Sequence, residues 1–428
     1  MVASSLISLI SKKIIKPSIP TPLRIHKLSF VDQVFHYYIP VSFFYPKNGN
    51  DKSYEPTHVS QLLEKSLSKT LSFYYPYAGR LKDSSTVDCN DAGVELSHVR
   101  VHCPMSEIFN HPYTNAEHVV FPVAQPHGHD EGNLAITQVS HFDCGGIAVG
   151  GCLSHKIGDG CTASSFFYNW GVLSRDISAN LSRPHFVEDS IYPQSSDPSI
   201  VSKSIKSEEP VGYLGKRFVF PAAKVNALKA IFSMDSGVCN PTRTEVVTAL
   251  LYKCAVAARR VNFGSFRPSS LFQVADMRQR LNPSLSHDAS GNIISGFLVP
   301  ITNEREMNCP RLVSEMRKEK EKLVDKDNIK KNAFISKVLD SLEKGKNNEF
   351  DDYFCSSVIA LPLYKTDFGW GRPAKVSMAT GPISKLFFLM DNQSGGGVEA
   401  LVMLDKQDMS IFEKDPELLE FAIPAPNL

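Results

Sequence analysis

His155 and Asp159 form an H-x-x-x-D pattern within the run 154–160 (SHKIGDG). A neutral imidazole, with an ordinary pKa of about 6.5, can accept the proton of a hydroxyl group and so act as a general base. The glycines on either side of Asp159 would leave room for a substrate. The alternative is a buried histidine at a strand end, followed by an aspartate that caps a helix. The residues alone leave both interpretations open.

A second H-x-x-x-D match runs from His185 to Asp189, among polar residues. With 13 histidines in the chain, about one such match is expected by chance, so we treat this one as coincidence. A metal site at His155 lacks a third His or Cys ligand at suitable spacing. No G-x-S-x-G element supports a serine hydrolase. We therefore expect no metal and no nucleophilic serine of that type.

A further motif lies near the C-terminus, where residues 367–371 are DFGWG. Asp-Phe-Gly also occurs in protein kinases, but the chain lacks the H-R-D catalytic loop and the Gly-rich phosphate loop of kinases. Trp370 is one of two tryptophans, and a pattern of five specified residues rarely arises by chance. The Gly-Trp-Gly turn is predicted to be a packing and folding element.

The hydrophobic pattern predicts the elements around His155. Residues 134–142 and 147–153 are strand-like and joined by a turn, and residues 161–173 have the helical period. His155 therefore falls between a strand end and a helix start, where loops often carry catalytic side chains. Further helices are predicted at 60–74, 242–258 and 310–324, and further strands at 295–300, 385–390 and 398–404. Because strands and helices do not alternate regularly, we predict an α+β (mixed α/β) fold.

A stretch rich in serine, proline and charge spans residues 183–212 and has no sustained apolar period. We predict a linker there, after an N-terminal domain over 1–182 that carries His155. A C-terminal domain over 213–428 would carry the DFGWG motif. A chain of 428 residues is long enough for two cores.

Composition excludes several classes of function. The net charge is +1, with 46 Lys+Arg against 45 Asp+Glu, so no overall attraction for nucleic acid or an anionic membrane is expected. No run of 18 apolar residues predicts a membrane span, and the N-terminus lacks the order of a signal peptide. Nine cysteines without C-x-x-C spacing favour a reducing compartment. A cytoplasmic protein is predicted.

The two motifs, in this order and separation, resemble those of the BAHD family of plant acyl-CoA-dependent acyltransferases. Further agreement runs along nearly the whole chain, at 28–32 (LSFVD), 75–81 (YPYAGRL), 87–93 (VDCNDAG), 275–280 (ADMRQR) and 395–399 (GGGVE). Within the family the chain is most similar to the branch of alkaloid, capsaicin-type and acylsugar acyltransferases.

The resemblance implies two similar domains of chloramphenicol acetyltransferase type, each with a mixed sheet, and an active-site channel between them. It implies that His155 lies within the channel as the general base. Asp159 is implied to point away from the channel and to pair with an arginine.

The resemblance also assigns roles around the second motif. Asp367, Phe368, Gly369 and Gly371 are implied to be structural, with Arg278, or else Arg280, as the ion-pair partner of Asp367. In some relatives the tryptophan is thought to help hold the oxyanion, a role that Trp370 would inherit. One residue departs from the family pattern: Asp276 stands where an asparagine is usual, so an acid lies beside the expected arginine pair.

The expected reaction is transfer of an acyl group from an acyl-CoA thioester to a hydroxyl of a plant specialised metabolite, in a ternary complex. Acyl-CoA would be a co-substrate, with no permanently bound cofactor, and a monomer is expected. Transfer to an amine, hydrolysis, or a non-catalytic protein that binds acyl-CoA or a metabolite remain as alternatives. A basic run at Lys318, Lys320, Lys322, Lys330 and Lys331 is interpreted as a solvated helix face rather than a phosphate site.

Overall fold

The computed structural model describes residues 6–425 apart from positions 48, 50, 112–113, 123–131, 188–190, 193–204, 207–210, 287, 325–332, 345–349 and 380. Several predictions fall outside these residues, namely most of the linker 183–212, Asp189 of the second H-x-x-x-D match, and Lys330 and Lys331. No helix within the described ranges is long and apolar enough to cross a membrane.

The first sheet has six strands. In spatial order they are Ile7–Ile15, Val94–Val101, Ala135–Phe142, Ile147–Ser154, Tyr38–Tyr45 and Lys375–Met378. The second and third run parallel and the other neighbours antiparallel, so the sheet is mixed. The strand Ile147–Ser154 is buried along its whole length, because alternate residues enter the large core on one face and a smaller core on the other.

The second sheet has seven strands. In spatial order they are Ile294–Ile301, Ser269–Asp276, Asp351–Ser357, Leu386–Asp391, Val398–Asp405, Tyr213–Phe220 and Ile423–Pro424. Asp351–Ser357 runs parallel to both of its neighbours, and the other pairs are antiparallel. This sheet is also mixed, and the predicted fold class is confirmed.

Helices cover the two sheets. The α-helices are Phe30–Val34, Pro56–Phe73, Met105–Phe109, Gly160–Arg175, Ala222–Ser236, Arg243–Phe263, Cys309–Glu321, Ala333–Lys344, Lys406–Phe412 and Pro416–Phe421. Short 3-10 turns lie at Lys52–Tyr54, Tyr75–Ala78, Thr114–Val120, Glu304–Glu306, Lys322–Val324 and Leu363–Lys365. The longest helix, Arg243–Phe263, begins with a capping box between Thr242 and Glu245 and ends at Gly264, which has a φ of +89°.

Each predicted helix and strand has a counterpart whose ends lie within a few residues of the prediction. Several elements were not predicted, among them the N-terminal strand Ile7–Ile15. It lies at the sheet edge and exposes Leu9, Ile10 and Ile14, so its sequence lacks the alternation that identifies a strand with one buried face.

Three short pairings join segments that are distant in the chain, and two of them use strands of the predicted linker 183–212. Lys375–Met378 is the sixth strand of the first sheet although it lies beyond the predicted linker. His185–Phe186 pairs with Ala289–Ser290, and Ile205–Lys206 with Phe35–His36. The remaining strands, Ile25–Lys27, Thr86–Asp88 and Arg80–Leu81, form a small sheet. The C-terminal half therefore contributes residues such as Val376 and Met378 to the hydrophobic core beside the first sheet, here called the first core. It also forms most of the core beside the second sheet, here called the second core.

Candidate active site

His155 lies on the loop between the strand Ile147–Ser154 and the helix Gly160–Arg175. Its backbone N–H donates to the carbonyl oxygen of Tyr37 over 3.0 Å. The imidazole packs against Phe35, with ring centroids 4.1 Å apart, and against Tyr37, with centroids 5.0 Å apart. Two aromatic rings and one backbone bond therefore hold the histidine in place.

A cavity of about 130 Å³ lies beside His155. The N-terminal half contributes Tyr37 and Ile39 to its wall. The second sheet contributes a row of adjacent residues on three neighbouring strands, Ser356, Phe388 and Leu401. Since both halves line the cavity and the wall is mostly apolar, it is a site where a small molecule can meet His155 away from bulk water.

Burial determines the charge of His155. It lowers the pKa of the imidazole to about 4, although the backbone of His155 itself, Asp159 and Asn292 partly oppose the shift. The side chain is therefore neutral at pH 7 and has a lone pair free to accept a proton. This is the protonation state that a general base requires.

Asp159 is held by the C-terminal half. It caps the helix Gly160–Arg175 by accepting from the backbone N–H of Thr162 over 3.0 Å. Arg278 donates to both carboxylate oxygens, over 2.8 and 3.0 Å, and neither side chain is more than 5% exposed. Although burial opposes it, the guanidinium holds the pKa of Asp159 below its ordinary value. The expected pairing of Asp159 with an arginine is confirmed, and Arg278 is that arginine.

Asp276, the departure from the family pattern, joins this network. Its Oδ1 accepts from Arg278 over 3.0 Å, while its side chain is 48% exposed. Arg280 instead donates to the backbone oxygen of Asp276. The extra acid thus gives Arg278 a second, solvated partner without displacing Asp159.

The partner expected for Asp367 is wrong. Arg175, at the end of the helix Gly160–Arg175, lies 3.6 Å from the Asp367 carboxylate and also donates to its backbone oxygen. The physical reason is the position of the DFGWG turn, which packs on the first core rather than near Arg278. Phe368 is fully buried there against Phe43, Tyr45 and Trp170.

The backbone geometry of the DFGWG turn accounts for its two glycines, Gly369 and Gly371. Asp367 Oδ1 accepts from the backbone N–H groups of Gly369, over 2.7 Å, and Gly371, over 2.9 Å. Both glycines have positive φ, +116° and +86°, which other residues rarely adopt. On the facing helix, a side chain at Gly171 would come within 2.8 Å of the Asp367 backbone oxygen. The turn is a packing element, as predicted.

Trp370 does not line the cavity beside His155. Its indole N–H donates to the backbone oxygen of Ser53 over 3.3 Å, and its ring packs against Tyr45 and Tyr54. The DFGWG turn packs Trp370 against the first core, where its one N–H is bound to Ser53. This arrangement does not direct the indole toward His155, and the oxyanion role stays an expectation from the resemblance.

The other candidate positions lie away from the cavity. His185 is exposed on its short strand. In the basic run, Lys318 and Lys322 extend to glutamates one turn away on their own helix, and Lys320 to Glu245. Among the described residues, no cluster of three His, Cys, Asp or Glu side chains is arranged to hold a metal ion.

Sequence reasoning missed three buried residues near His155. Asn292 donates to the His155 backbone oxygen over 2.5 Å and to Asp32 over 2.7 Å. Lys156 is 1% exposed, and burial lowers its pKa to about 8. Its Nζ lies within hydrogen-bond distance of the Gln33 backbone oxygen and of His36. Asp32 stood in a family motif, but its capping pattern with Ser29 gave no hint of contact with the site.

Known proteins match this chain over nearly its full length. A family model described as the Transferase family matches residues 6–419. Acyltransferase Pun1 from Capsicum frutescens is 45% identical over 98% of each chain. The 17,18-epoxy-17-hydroxycur-19-ene N-malonyltransferase of Strychnos nux-vomica is 41% identical, over 98% of this chain and 91% of its own. The crystal structure of vinorine synthase matches with a TM-score of 0.84 and 31% identity, over 97% and 98% of the two chains.

Proposed function

This chain belongs to the BAHD family of acyl-CoA-dependent acyltransferases, and on that premise we propose that it acylates a hydroxyl group of a plant specialised metabolite. The observation that carries the proposal is His155, a half-buried and neutral histidine on the wall of a cavity that both halves line. The acceptor is an alkaloid-type alcohol or an acylsugar.

The chemistry follows from the protonation state of His155. As the alcohol oxygen attacks the thioester carbonyl carbon, the imidazole takes the hydroxyl proton. The tetrahedral intermediate then collapses with cleavage of the carbon–sulfur bond, and the imidazolium returns the proton to the leaving thiolate. Acyl-CoA is consumed as a co-substrate in a ternary complex, with no cofactor retained. The enzyme acts as a monomer in the cytoplasm.

The oxyanion of the tetrahedral intermediate needs a hydrogen-bond donor. Tyr38 donates its hydroxyl to the backbone oxygen of Asn133, so it is occupied. Ser356, on the wall formed by the second sheet, and Tyr37, beside His155, carry the other hydroxyls of the described lining. Burial raises the pKa of Tyr37, which keeps that hydroxyl protonated. We assign the donor role to these two hydroxyls in place of Trp370.

One experiment tests the proposal. Free thiol release from a series of acyl-CoA thioesters is followed with no acceptor, with alcohols and with amines, and products are identified by mass spectrometry. Release that depends on an alcohol and is abolished in His155→Ala is expected. Release that requires an amine would favour N-acylation, the activity in the name of one relative at 41% identity. Release without acceptor would indicate a hydrolase, and no release with any pair a binding protein.

A further inference from the structure

A short chain of hydrogen bonds joins Asp32 to the loop that carries His155. One amide nitrogen, Asn292 Nδ2, donates to Asp32 Oδ1 over 2.7 Å and to the His155 backbone oxygen over 2.5 Å. Asp32 and Asn292 are each 4% exposed, so water competes little for these bonds. The amide therefore links a carboxylate to the residue that acts as the base.

Two further atoms in this arrangement are complementary. His155 Nδ1 and Asn292 Oδ1 are both buried, and neither has a hydrogen-bond partner among the described residues. A protonated Nδ1 is a donor and an amide oxygen is always an acceptor. Leaving both unpaired would cost free energy, and a hydrogen bond between them would satisfy both. The backbone oxygen of His155 and the side chain of Asn292 both shift the pKa of the imidazole upward, against the larger lowering by burial, which is the effect of hydrogen-bond acceptors near the ring.

Asp32 determines the orientation of the Asn292 side-chain amide. Burial raises the pKa of Asp32 to about 6, while its bonds from Asn292 and Ser29 oppose the shift. The carboxylate is ionised at pH 7 and can only accept hydrogen bonds. Its other oxygen accepts from the Ser29 backbone N–H over 2.7 Å. Asn292 therefore turns its nitrogen to Asp32, which leaves its oxygen free to accept from the imidazole.

We propose that Asn292 is the positioning residue of His155 and that Asp32 acts through it, so that the imidazole carries its proton on Nδ1 and presents the Nε2 lone pair to the cavity. The inference rests on the proposed role of His155 as general base. Neither Asn292 nor Asp32 touches the reacting atoms. Their effect is to select the tautomer of His155 that can take a hydroxyl proton.

Asn292 comes from the C-terminal half, and the residues on either side of it form hydrogen bonds with the Asp159–Arg278 pair. The Ile293 backbone N–H donates to Asp159 over 3.1 Å, and the Gly291 backbone oxygen accepts from Arg278 over 3.2 Å. Asn292 therefore reaches His155 only when the two halves are docked. The tautomer of the base is coupled to the assembly of the cavity that it serves.

The direct test is the tautomer itself. Long-range proton–nitrogen NMR spectra of protein labelled at histidine nitrogen separate Nδ1–H from Nε2–H imidazoles, and His155→Ala identifies the His155 signals. At pH 7 the wild-type protein is expected to show Nδ1–H. Asn292→Ala and Asp32→Asn are each expected to move part of the population to Nε2–H. A wild-type Nε2–H tautomer, or variants with unchanged signals, would overturn the proposal.

Kinetics provide a second measurement. Asn292→Ala is expected to lower kcat by about 10²-fold, the scale of a misplaced catalytic group, with little change in KM for either substrate. The matched control is Asn262→Ala, which removes another asparagine-to-aspartate bond, from Asn262 Nδ2 to Asp408 over 2.8 Å, between the helices Arg243–Phe263 and Lys406–Phe412. The control should retain wild-type kcat. Equal losses in both variants would mean a structural role only.

The two ideas can fail separately. If the wild-type protein transfers no acyl group but the variants shift the His155 tautomer, the proposed reaction is wrong and the positioning role stands. If transfer is normal and Asn292→Ala changes neither tautomer nor kcat, the positioning role is wrong. Should Asn292→Ala not fold, Asp32→Asn and the wild-type tautomer decide the question.

Discussion

Asp159→Asn should destabilise the protein strongly, because it leaves Arg278 buried without its main counter-charge. The Arg278 side chain is 2% exposed, and Asp159 accepts from it through both oxygens. Removing one partner of such a pair typically costs about 3–5 kcal/mol. Asp276 still contacts Arg278 over 3.0 Å and is half-exposed, which places the cost near the lower limit, at about 3 kcal/mol. With about 2–4 °C per kcal/mol for a domain of this size, Tm should fall by about 6–12 °C.

Scanning calorimetry and single-turnover rates on the folded fraction test this together. Two controls follow from the same geometry. Asp143→Asn breaks the exposed pair with Arg100, whose side chains are 39% and 59% exposed, and should cost at most about 1 kcal/mol. Asp367→Asn should also be mild, because its partner Arg175 is 37% exposed and an amide oxygen can still accept from the two glycines. A normal Tm in Asp159→Asn, with the chemical step lost, would refute the structural role of Asp159.

Three further outcomes are expected. His155→Ala should lower turnover by about 10²–10⁴-fold while the protein stays folded, and His185→Ala, at the exposed second motif, should leave the rate unchanged; similar losses in both would contradict the choice of base. Trp370→Phe keeps the ring but removes the indole N–H, so kcat should change less than about threefold, against the 10²–10³-fold loss typical of an oxyanion donor. A loss of kcat in that range would indicate that the Trp370 indole N–H takes part in the reaction. Burial lowers the pKa of His26, His141 and His155 to about 4, whereas the unfolded chain takes up these protons near pH 6.5. Stability should thus be full above about pH 6.5 and fall as pH is lowered toward 4, and a urea midpoint that stays constant across this window would contradict the assignment.

The local elements around the site were predictable because their causes are local. The apolar run before His155 predicts a buried strand, and the period of 161–173 predicts the helix Gly160–Arg175. Asp159 is indeed the helix cap that the simpler interpretation proposed, and it pairs with an arginine as well. The glycines of the DFGWG turn likewise indicated tight backbone geometry, which their positive φ angles confirm.

The interaction partners of these residues were harder to predict from the sequence. Arg278 was assigned to Asp367, but it binds Asp159, and Arg175 takes its place in the turn. The resemblance suggested that Trp370 faces the reaction, yet its N–H is bound at Ser53. Both differences between expectation and structure share one cause, since a motif specifies residue types but not which distant segment packs against them.

By itself, the amino-acid sequence indicated the family, the mixed α/β class, His155 as the candidate base and the position of its loop, because each depends on residue types and short-range periodicity. Only the tertiary structure decided that Arg278 neutralises Asp159, that Asn292 reaches His155 and that Trp370 lies outside the cavity. The lowered pKa of His155 is also a consequence of the tertiary fold, because it results from burial among Phe35, Tyr37 and the second sheet. Ion pairing and desolvation depend on distances between residues more than a hundred positions apart, and those distances are set by how the two sheets pack, not by any local pattern.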